Sequence, residues 1–285
     1  MNPAYMAPEI SRQLSASQAK ALVSHSSILD KVKETKKLYP NLSTTVVVNG
    51  VSKDGDLGWD DFMDISSDPL PEQVPVDIKK DVALLPFSSG TTGAPKGVML
   101  SQYNLVANNH TIATNDNEYM SRAFAQFQEV TLGILPMFHI FGLNVTMSGG
   151  IISGGKQVVL PSFEPQLFAD LMKKHRPTFL HLVPPLASFL ANSPLITTDH
   201  LSSLRQINVG AAPSGPELIK QFYKKAPSYV MYKEGWGSTE VAGGGSGIMR
   251  ACGGIRPGSV NQLLPNLRLQ VWQYFTIATS YAPNS

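Results

Sequence analysis

The sequence has very little cysteine and little net charge. Cys252 is the single cysteine among 285 residues, so no disulfide can form within the chain. The six histidines are scattered without the spacing of zinc ligands. The formal net charge of +2, from 23 basic and 21 acidic residues, is too close to balance for a protein that binds nucleic acid or a membrane surface. We therefore expect no disulfide, no Cys/His zinc site and no nucleic-acid partner.

Targeting signals are also missing. The N-terminus, MNPAYMAPEISRQL, has no basic segment followed by an apolar core, so a signal peptide is not supported. A stretch without a charged residue runs from Val130 to Gly155 and has a suitable length for a membrane-spanning helix. Pro136 and the pair Gly149-Gly150 interrupt it, so a buried strand, turn and helix explain it better. We expect no membrane span, and a cytoplasmic location by default.

What the chain does have is an alternation of strand-like and helix-like segments. A helix leading to a short strand is predicted for residues 8–24, and further strands are predicted at 44–48, 83–87, 158–160, 178–183, 205–210 and from 228 onwards. Ser101 is a good N-cap, and Pro165 and Pro216 suit the first turn of a helix. The acidic stretch 54–75 is predicted to be a surface loop. Strands separated by helices indicate an α/β fold with parallel sheets covered by helices.

The strongest chemical signal is SSGTTGAPKG, residues 88–97. Gly90 and Gly93 let the backbone bend tightly and bring its N–H groups close to a ligand. Lys96 adds a positive charge, and hydroxyl donors come from four side chains, Ser88, Ser89, Thr91 and Thr92. This set suits a triphosphate, although the spacing is not that of the P-loop, G-x-x-x-x-G-K-[ST]. A flexible Gly/Ser turn is the alternative; a preceding strand and a following helix argue against it.

Two later segments could complete a nucleotide site. The thin backbone of 210–212 (Gly-Ala-Ala) would let a flat base lie against it, with Trp236 stacked on the other side. Thr239 can donate to a phosphate oxygen, and Glu240 can ligate Mg²⁺, which prefers oxygen ligands. The alternatives are that Trp236 is a core aromatic and that Glu240 is a solvated loop carboxylate.

At these residues the sequence resembles the adenylate-forming superfamily, which includes acyl-CoA synthetases, 4-coumarate–CoA ligases and beetle luciferases. Residues 88–97 match its phosphate-binding signature, and three later segments follow in the family's order: 134–143 (ILPMFHIFGL), 208–218 (NVGAAPSGPEL) and 234–240 (EGWGSTE). The resemblance implies two mixed, mostly parallel sheets with helices, followed by the start of a small β-barrel.

The activity that this resemblance implies is ATP-dependent activation of a small carboxylic acid. The carboxylate attacks the α-phosphorus of ATP and releases pyrophosphate, and the thiol of coenzyme A then displaces AMP from the acyl-adenylate. By resemblance, the nucleotide is held by Ser88, Ser89, Gly90, Thr91, Thr92, Gly93, Lys96, Gly210, Ala211, Ala212, Glu234, Gly235, Trp236 and Thr239. The same resemblance assigns Mg²⁺ to Glu240 and Thr91, the acid to His139 and Phe141, and the catalytic roles to His139, Lys96 and Thr239.

Two of these residues raise questions. On the residues alone, His139 in an apolar strand is more often a core histidine, whereas the resemblance places it beside the acid. Glu234 stands where relatives often have an amide or a small residue. A second negative charge near a nucleotide would repel its phosphates unless the side chain faces elsewhere.

The chain departs from the family at both ends. Relatives begin upstream of anything similar to residues 3–14, and the match ends after Trp272. The family's T-G-D aspartate, its hinge arginine and the mobile C-terminal domain with its lysine have no counterpart here, and neither does the S-K-L terminus of peroxisomal relatives. We predict a partial first α/β subdomain with the phosphate loop at 1–124, a second α/β subdomain at 125–246, and the start of the β-barrel with a divergent tail at 247–285.

Two hypotheses follow. The first is an acid–CoA ligase homologue in which CoA ligation is weak or lost. The second is a non-catalytic protein that binds ATP or an acyl group, or that associates with a full-length homologue.

Overall fold

The computed structural model describes residues 1–53, 55–64, 72–88, 95–113, 121–247 and 258–270. The strands in these ranges are β1 (Ala21–His25), β2 (Thr44–Val48), β3 (Leu57–Gly58), β4 (Val82–Leu84), β5 (Phe87–Ser88), β6 (Lys96–Gly97), β7 (Leu100–Ser101), β8 (Val130–Gly133), β9 (Lys156–Val159), β10 (Phe179–Leu182), β11 (Gln206–Val209), β12 (Met231–Glu234), β13 (Gly237–Ser238), β14 (Gly243–Gly244), β15 (Ser246–Gly247) and β16 (Gln262–Leu263).

The helices in the same ranges are α1 (Ala7–Ser17), α2 (Leu29–Leu38), α3 (Trp59–Met63), α4 (Gln102–Ala113), α5 (Gly149–Ile152), α6 (Pro165–His175), α7 (Pro184–Asn192), α8 (Thr198–Leu201) and α9 (Pro216–Tyr223). Two 3₁₀ turns, Ser26–Ile28 and Thr239–Val241, and a π-helix, Phe141–Ser148, complete the regular structure of the described ranges.

The largest sheet has five parallel strands in the order β12-β11-β10-β8-β9. From β8 the chain moves outward to β9, and it then returns to β10 on the other side of β8. The direction of winding therefore changes between β8 and β10. In open parallel sheets, ligands bind at the carboxyl ends of the strands beside such a switch point.

The main core lies on one face of this sheet. Strands β10 and β11 are buried along their whole length, as expected for central parallel strands. Leu180 and Ile207 point into a cluster that is completed by α6, α7 and α9, for example by Phe168 and Phe222. Because side chains alternate along a strand, His181 and Asn208 point to the opposite face. That face carries the π-helix and the cavity described below.

The predicted helix starts are confirmed where they can be seen. Ser101 precedes α4 and its Oγ accepts a hydrogen bond from the Asn104 N–H at 3.2 Å. Pro165 and Pro216 are the first residues of α6 and α9. The uncharged stretch 130–155 forms β8, the π-helix and α5 as predicted. Within the described ranges, no helix is both long and apolar enough to cross a bilayer.

The predicted surface loop at 54–75 is wrong in part. Leu57–Gly58 adds β3 to the parallel β1-β2 pair, and Trp59–Met63 forms the short helix α3. A two-residue strand has no hydrophobic periodicity that the sequence could reveal. Its signal is instead Gly58, where an added Cβ would lie 2.9 Å from the Gly50 carbonyl oxygen. Residues 54 and 65–71 lie outside the described ranges.

The predicted strand before the SSGTTGAPKG segment and the helix after it are both present, as β4 and β5 and as α4. Two short strands, β6 and β7, were not predicted and lie between the segment and α4. Strand β5 pairs antiparallel with β6, with Ser88 opposite Lys96. Pro86 separates β5 from β4, although 83–87 was predicted as one strand. The described ends of the segment therefore form the antiparallel β5/β6 pair, and residues 89–94 lie outside the described ranges.

The three-part division at 124 and 246 stays a prediction. The third part is described for residue 247 and residues 258–270, where β16 pairs antiparallel with β15.

Candidate functional site

A cavity of about 480 Å³ opens at the carboxyl ends of β11 and β12. Most of its lining comes from four parts of the chain: the β5/β6 hairpin, the segment 139–145, the ends of β11 and β12 with the residues that follow them, and the β13/β14 hairpin. Ile112, Ser246 and Leu264 complete it. This volume is in the range of small-molecule and cofactor sites. The cavity also lies beside the switch point of the parallel sheet, where a ligand is expected.

Most of the predicted site residues meet at this cavity. Its lining includes Ser88, Lys96, His139, Phe141, Gly210, Ala211, Gly235, Trp236, Thr239 and Glu240. Ala212 is exposed and does not line the cavity. Residues 89–93, which contain the remaining predicted phosphate contacts, lie outside the described ranges. The structure thus brings the β5/β6 and β13/β14 hairpins to one cavity.

Lys96 supplies positive charge to one wall. It is the first residue of β6, and its side chain is exposed where it lines the cavity. Among the described residues, no carboxylate forms an ion pair with Lys96. Lys96 therefore does not have to break an ion pair with a described residue before it binds an anionic ligand.

His139 lies in the turn between β8 and the π-helix and lines the cavity, so the alternative of a core histidine within a strand does not hold; its role toward the acid stays a prediction. The turn is closed by the His139 N–H, which donates to the Pro136 carbonyl oxygen at 3.1 Å. The imidazole Nδ1 accepts a hydrogen bond from the Phe141 N–H at 3.1 Å. Partial burial lowers the pKa of His139 from its ordinary value. A neutral imidazole that accepts at Nδ1 carries its proton on Nε2, and it can donate that proton to a ligand.

Phe141 forms the wall next to His139. Its ring packs edge-on against His181, with 5.4 Å between ring centroids. His181 is fully buried, and burial lowers its pKa to about 3, so it is neutral at pH 7. A Cβ on Gly210 would lie 3.2 Å from Phe141 Cε1 and 3.4 Å from the Gly235 carbonyl oxygen. A glycine at 210 therefore lets the ends of β11 and β12 approach this ring closely.

The position of Glu234 removes the expected repulsion between its negative charge and the phosphates of a nucleotide in the cavity. Its side chain is buried, and Oε1 and Oε2 accept hydrogen bonds from the N–H groups of Ser214 and Gly258, both at 3.0 Å. Glu234 is not among the cavity-lining residues. Through its hydrogen bond from the Ser214 N–H, the carboxylate fixes the turn that follows β11. That turn contains Ala211, which has a left-handed conformation with φ of 70°.

Trp236 lies at the rim of the cavity, so it is not a core aromatic. Its side chain is 44% exposed. A Cβ on Gly245 would lie 2.4 Å from Trp236 Cζ3, which shows that the ring rests against the backbone of Gly245. Contact with a glycine on one side leaves the rest of the indole available to a ligand.

Thr239 and Glu240 occupy the tip of the β13/β14 hairpin. Thr239 is buried and Glu240 is exposed, and both begin the 3₁₀ turn that joins the two strands. Within the described ranges, no group of three or more His, Cys, Asp or Glu side chains could hold a metal ion. A single carboxylate does fit Mg²⁺, because this ion is commonly bound by one or two carboxylates together with substrate phosphates and water.

Several cavity residues were missed by the sequence analysis. Asn208 lies within a quoted motif, but its side chain was not assigned a role. Ile112, Val145 and Leu264 come from elements far apart in the sequence, and together they form a small apolar cluster at the cavity. The one local signal was the triple glycine at 243–245, which is unusual in a sheet and often marks close backbone approach.

Comparisons with known proteins show the family and the fold. The family model described as AMP-binding enzyme matches residues 1–273. Probable 4-coumarate–CoA ligase 3 of Dictyostelium discoideum is 32% identical over 286 residues, covering 95% of this chain and 50% of that protein. 4-Coumarate–CoA ligase 3 of Arabidopsis thaliana is 35% identical over 241 residues, covering 84% and 41%. ATP-bound MatB from Rhodopseudomonas palustris is similar in structure, with a TM-score of 0.73 at 26% identity, covering 93% and 49%.

The chain spans about half the length of the curated relatives that it matches. Its fold is that of the N-terminal domain of such enzymes, which confirms the predicted fold class. Because the family model matches nearly the whole chain, this protein belongs to the AMP-binding family of adenylate-forming enzymes.

Proposed function

We propose that this chain binds ATP and a small carboxylic acid side by side in its cavity and takes part in converting the acid to an acyl-adenylate, which coenzyme A then captures. The observation that carries the proposal is the meeting of two hairpins at one cavity. Lys96 lies on the first hairpin, and Thr239 and Glu240 lie on the second. His139 and Phe141 border the same cavity.

The first half-reaction needs one bond formed and one broken. An oxygen of the acid attacks the α-phosphorus of ATP, and the bond to the bridging oxygen of pyrophosphate breaks. Lys96 offsets the negative charge that builds up on the leaving phosphates, and Thr239 donates from its hydroxyl to a phosphate oxygen. Glu240 would hold Mg²⁺, which would offset further phosphate charge. The protein acts chiefly by positioning and by electrostatic stabilisation.

His139 would orient the acid. Its Nδ1 is already engaged by the Phe141 N–H, so the neutral ring offers only Nε2–H to a ligand. Donation to one carboxylate oxygen leaves the other oxygen to attack phosphorus. Phe141 and the apolar residues Ile112, Val145 and Leu264 would surround the rest of the acid.

The second half-reaction is proposed from the relatives, which are named CoA ligases. The thiol of coenzyme A attacks the carbonyl carbon of the mixed anhydride, AMP leaves, and a thioester forms.

Binding and turnover can be tested separately with the purified chain. Calorimetry with ATP and Mg²⁺, followed by a pyrophosphate-release assay over aromatic and aliphatic acids, should show nucleotide binding and then acid-dependent release. Binding without release would identify a protein that holds both ligands but does not join them. Failure to bind ATP would refute the proposal.

A further inference from the structure

The β13/β14 hairpin carries Thr239 and Glu240, yet it has little means of holding itself in place. Each strand is two residues long, and Gly237 lies opposite Gly244. Glycine loses more backbone entropy on folding than any other residue and offers no side chain to pack. Two-stranded hairpins are marginally stable even with better sequences. The position of the hairpin must therefore come from its neighbours.

Asn108, on helix α4, supplies one such contact. Its Nδ2 donates to the Gly244 carbonyl oxygen at 2.7 Å, and its Oδ1 accepts from the Gly244 N–H at 3.2 Å. The side-chain amide thus bonds both backbone groups of one residue, as a neighbouring strand would. Asn108 is 7% exposed, so water does not readily replace these bonds.

Asn144, on the π-helix, supplies the second contact. Its Nδ2 donates to the Ala242 carbonyl oxygen at 2.8 Å, and its Oδ1 accepts from Asn109 Nδ2 at 2.6 Å. Asn109 follows Asn108 on α4, so the three amides connect α4, the π-helix and the returning strand of the hairpin. Asn144 is 3% exposed.

The backbone of the hairpin is shaped to receive these amides. Gly243 has φ of 132°, a conformation that side chains rarely adopt. A Cβ at Gly243 would lie 2.6 Å from Val145 Cγ2 and 3.1 Å from Asn108 Oδ1. The glycine therefore lets β14 approach both helices.

The network also joins the two sides of the cavity. Asn144 lies in the same π-helix that begins at Phe141, whose N–H is bonded to His139. The hairpin that carries Thr239 and Glu240 is thus fixed to the element that carries the acid-side residues.

We infer that Asn108 and Asn144 are positioning residues, which set the hairpin at the distance from the π-helix that Thr239 and Glu240 need to act on bound nucleotide. This inference rests on the proposed function. It assigns the amides no contact with the ligand.

Hydrogen exchange tests the structural half without any ligand. In Asn108→Ala and Asn144→Ala, amide exchange in peptides covering 237–247 should accelerate about tenfold or more, because buried bonds are lost, while peptides covering 206–212 keep their rates. Asn192→Ala is the control: Asn192 is an exposed helix asparagine bonded to Ser188 and Gln221, away from the cavity. Unchanged exchange rates at 237–247 would overturn this inference and leave the proposed function untouched.

Calorimetry tests the functional half. ATP affinity is measured with and without Mg²⁺, since Glu240 is expected to act through the metal. The two Ala variants should lose about tenfold in affinity for ATP with Mg²⁺ and less than that without it, because the Thr239 hydrogen bond is weakened in both conditions whereas the contribution of Glu240 requires the metal. Equal loss in both conditions would indicate general destabilisation and would overturn the positioning role. Absence of ATP binding by the unsubstituted chain would instead refute the proposed function, and the role of the network at the site with it.

Asn108→Asp tests the bond to the Gly244 carbonyl oxygen through its dependence on pH. The ionised carboxylate keeps an acceptor for the Gly244 N–H but faces the Gly244 carbonyl oxygen without a donor. Burial raises the pKa of such a carboxyl, and its protonated form regains the donor. Relative to the unsubstituted chain at the same pH, affinity of the Asp variant for ATP with Mg²⁺ should recover between pH 8 and pH 6. The Ala variant should show no recovery, and equal behaviour of the two variants would contradict the inference.

Discussion

The two ends of the five-stranded sheet are built in opposite ways. At the amino end, the carboxylate of Glu129 is 1% exposed, and its Oε1 lies 2.8 Å from Arg205 Nη1. Thr178 donates to the other oxygen of Glu129, and the Arg205 guanidinium lies 4.9 Å from the centroid of the Phe127 ring. Glu129, Thr178 and Arg205 immediately precede β8, β10 and β11, so their contacts connect three strands.

At the carboxyl end, charged side chains such as Lys96 and Glu240 face a cavity. Lys96 has no acidic partner among the described residues, Glu240 is exposed, and backbone approaches are close because glycines occupy 210, 237 and 243–245. One end of the sheet pairs its polar groups with each other, and the other leaves charged side chains at a cavity, where we propose that the ligand binds. Substitutions at the amino end should therefore change the free energy of unfolding, whereas substitutions of charged residues at the carboxyl end should change the affinity for ATP.

The largest expected effect is the acid sensitivity caused by His181, which supports the cavity wall. Its folded-state pKa of about 3 lies below the unfolded value of 6.5, so the unfolded chain binds more protons between these values. The free energy of unfolding should fall as pH drops below 6.5, by about 1.4 kcal/mol per pH unit from this group at most. Urea unfolding from pH 7 to pH 5 measures the slope. His181→Leu should flatten it, whereas the exposed control His110→Gln should not.

Next in size is the loss of the amino-end ion pair in Glu129→Ala. Because Arg205 is half exposed and can be solvated, we expect a loss of about 2 kcal/mol in the free energy of unfolding rather than the larger penalty of a fully buried charge. Nucleotide affinity of the folded protein should stay the same. An equal loss of ATP affinity would show that the two ends are not independent. Glu217→Ala, on an exposed turn of α9, serves as the control.

Lys96→Ala should give the reverse pattern. Removing one cation from the phosphate side should weaken ATP binding by about tenfold, which corresponds to about 1.4 kcal/mol. Stability and far-ultraviolet circular dichroism should not change, because the side chain is exposed. Lys156→Ala, on the exposed start of β9, is the matched control. Unchanged ATP affinity in Lys96→Ala would contradict the assignment of the phosphate side.

The smallest effect is expected from Gly245→Ala. The new Cβ would lie 2.4 Å from Trp236 Cζ3, so the indole must swing away from its present contact. If Trp236 stacks on the nucleotide, ATP affinity should fall about threefold, in line with the energy of an aromatic contact. Calorimetry on Gly245→Ala and Trp236→Ala should then give similar losses. A loss in Trp236→Ala with none in Gly245→Ala would show that the present ring position does not matter.

Much of the fold could be predicted from local patterns. The β-branched run of β2 and the apolar runs of β10 and β11 were correct, and Pro165 and Pro216 marked the starts of helices. The short strand β3 and the strand β6 were missed, because two-residue strands are defined by their partners rather than by their own sequence.

The residues of the candidate site were also predicted only in part. Lys96 and Glu240 were predicted from motifs because their chemistry is local to each motif, and both line the cavity, while their roles there stay a prediction. Asn108 and Asn144 were missed, because their partners Gly244 and Ala242 are 136 and 98 residues away in the chain. A lone asparagine in a helical pattern carries no mark of such a distant contact.

The π-helix makes the position of Asn144 sensitive to the deletion of a residue in its segment. Each turn of Phe141–Ser148 holds more residues than an α-helical turn, since its hydrogen bonds span five residues. Deleting one residue there would allow an ordinary α-helix, and because the rotation per residue would change, the remaining side chains of the segment would take new directions around the axis. Asn144 would then leave Ala242 even though every motif residue was still present. Homologues that keep all four motifs but differ by one residue in this segment should therefore be expected to arrange their hairpin differently.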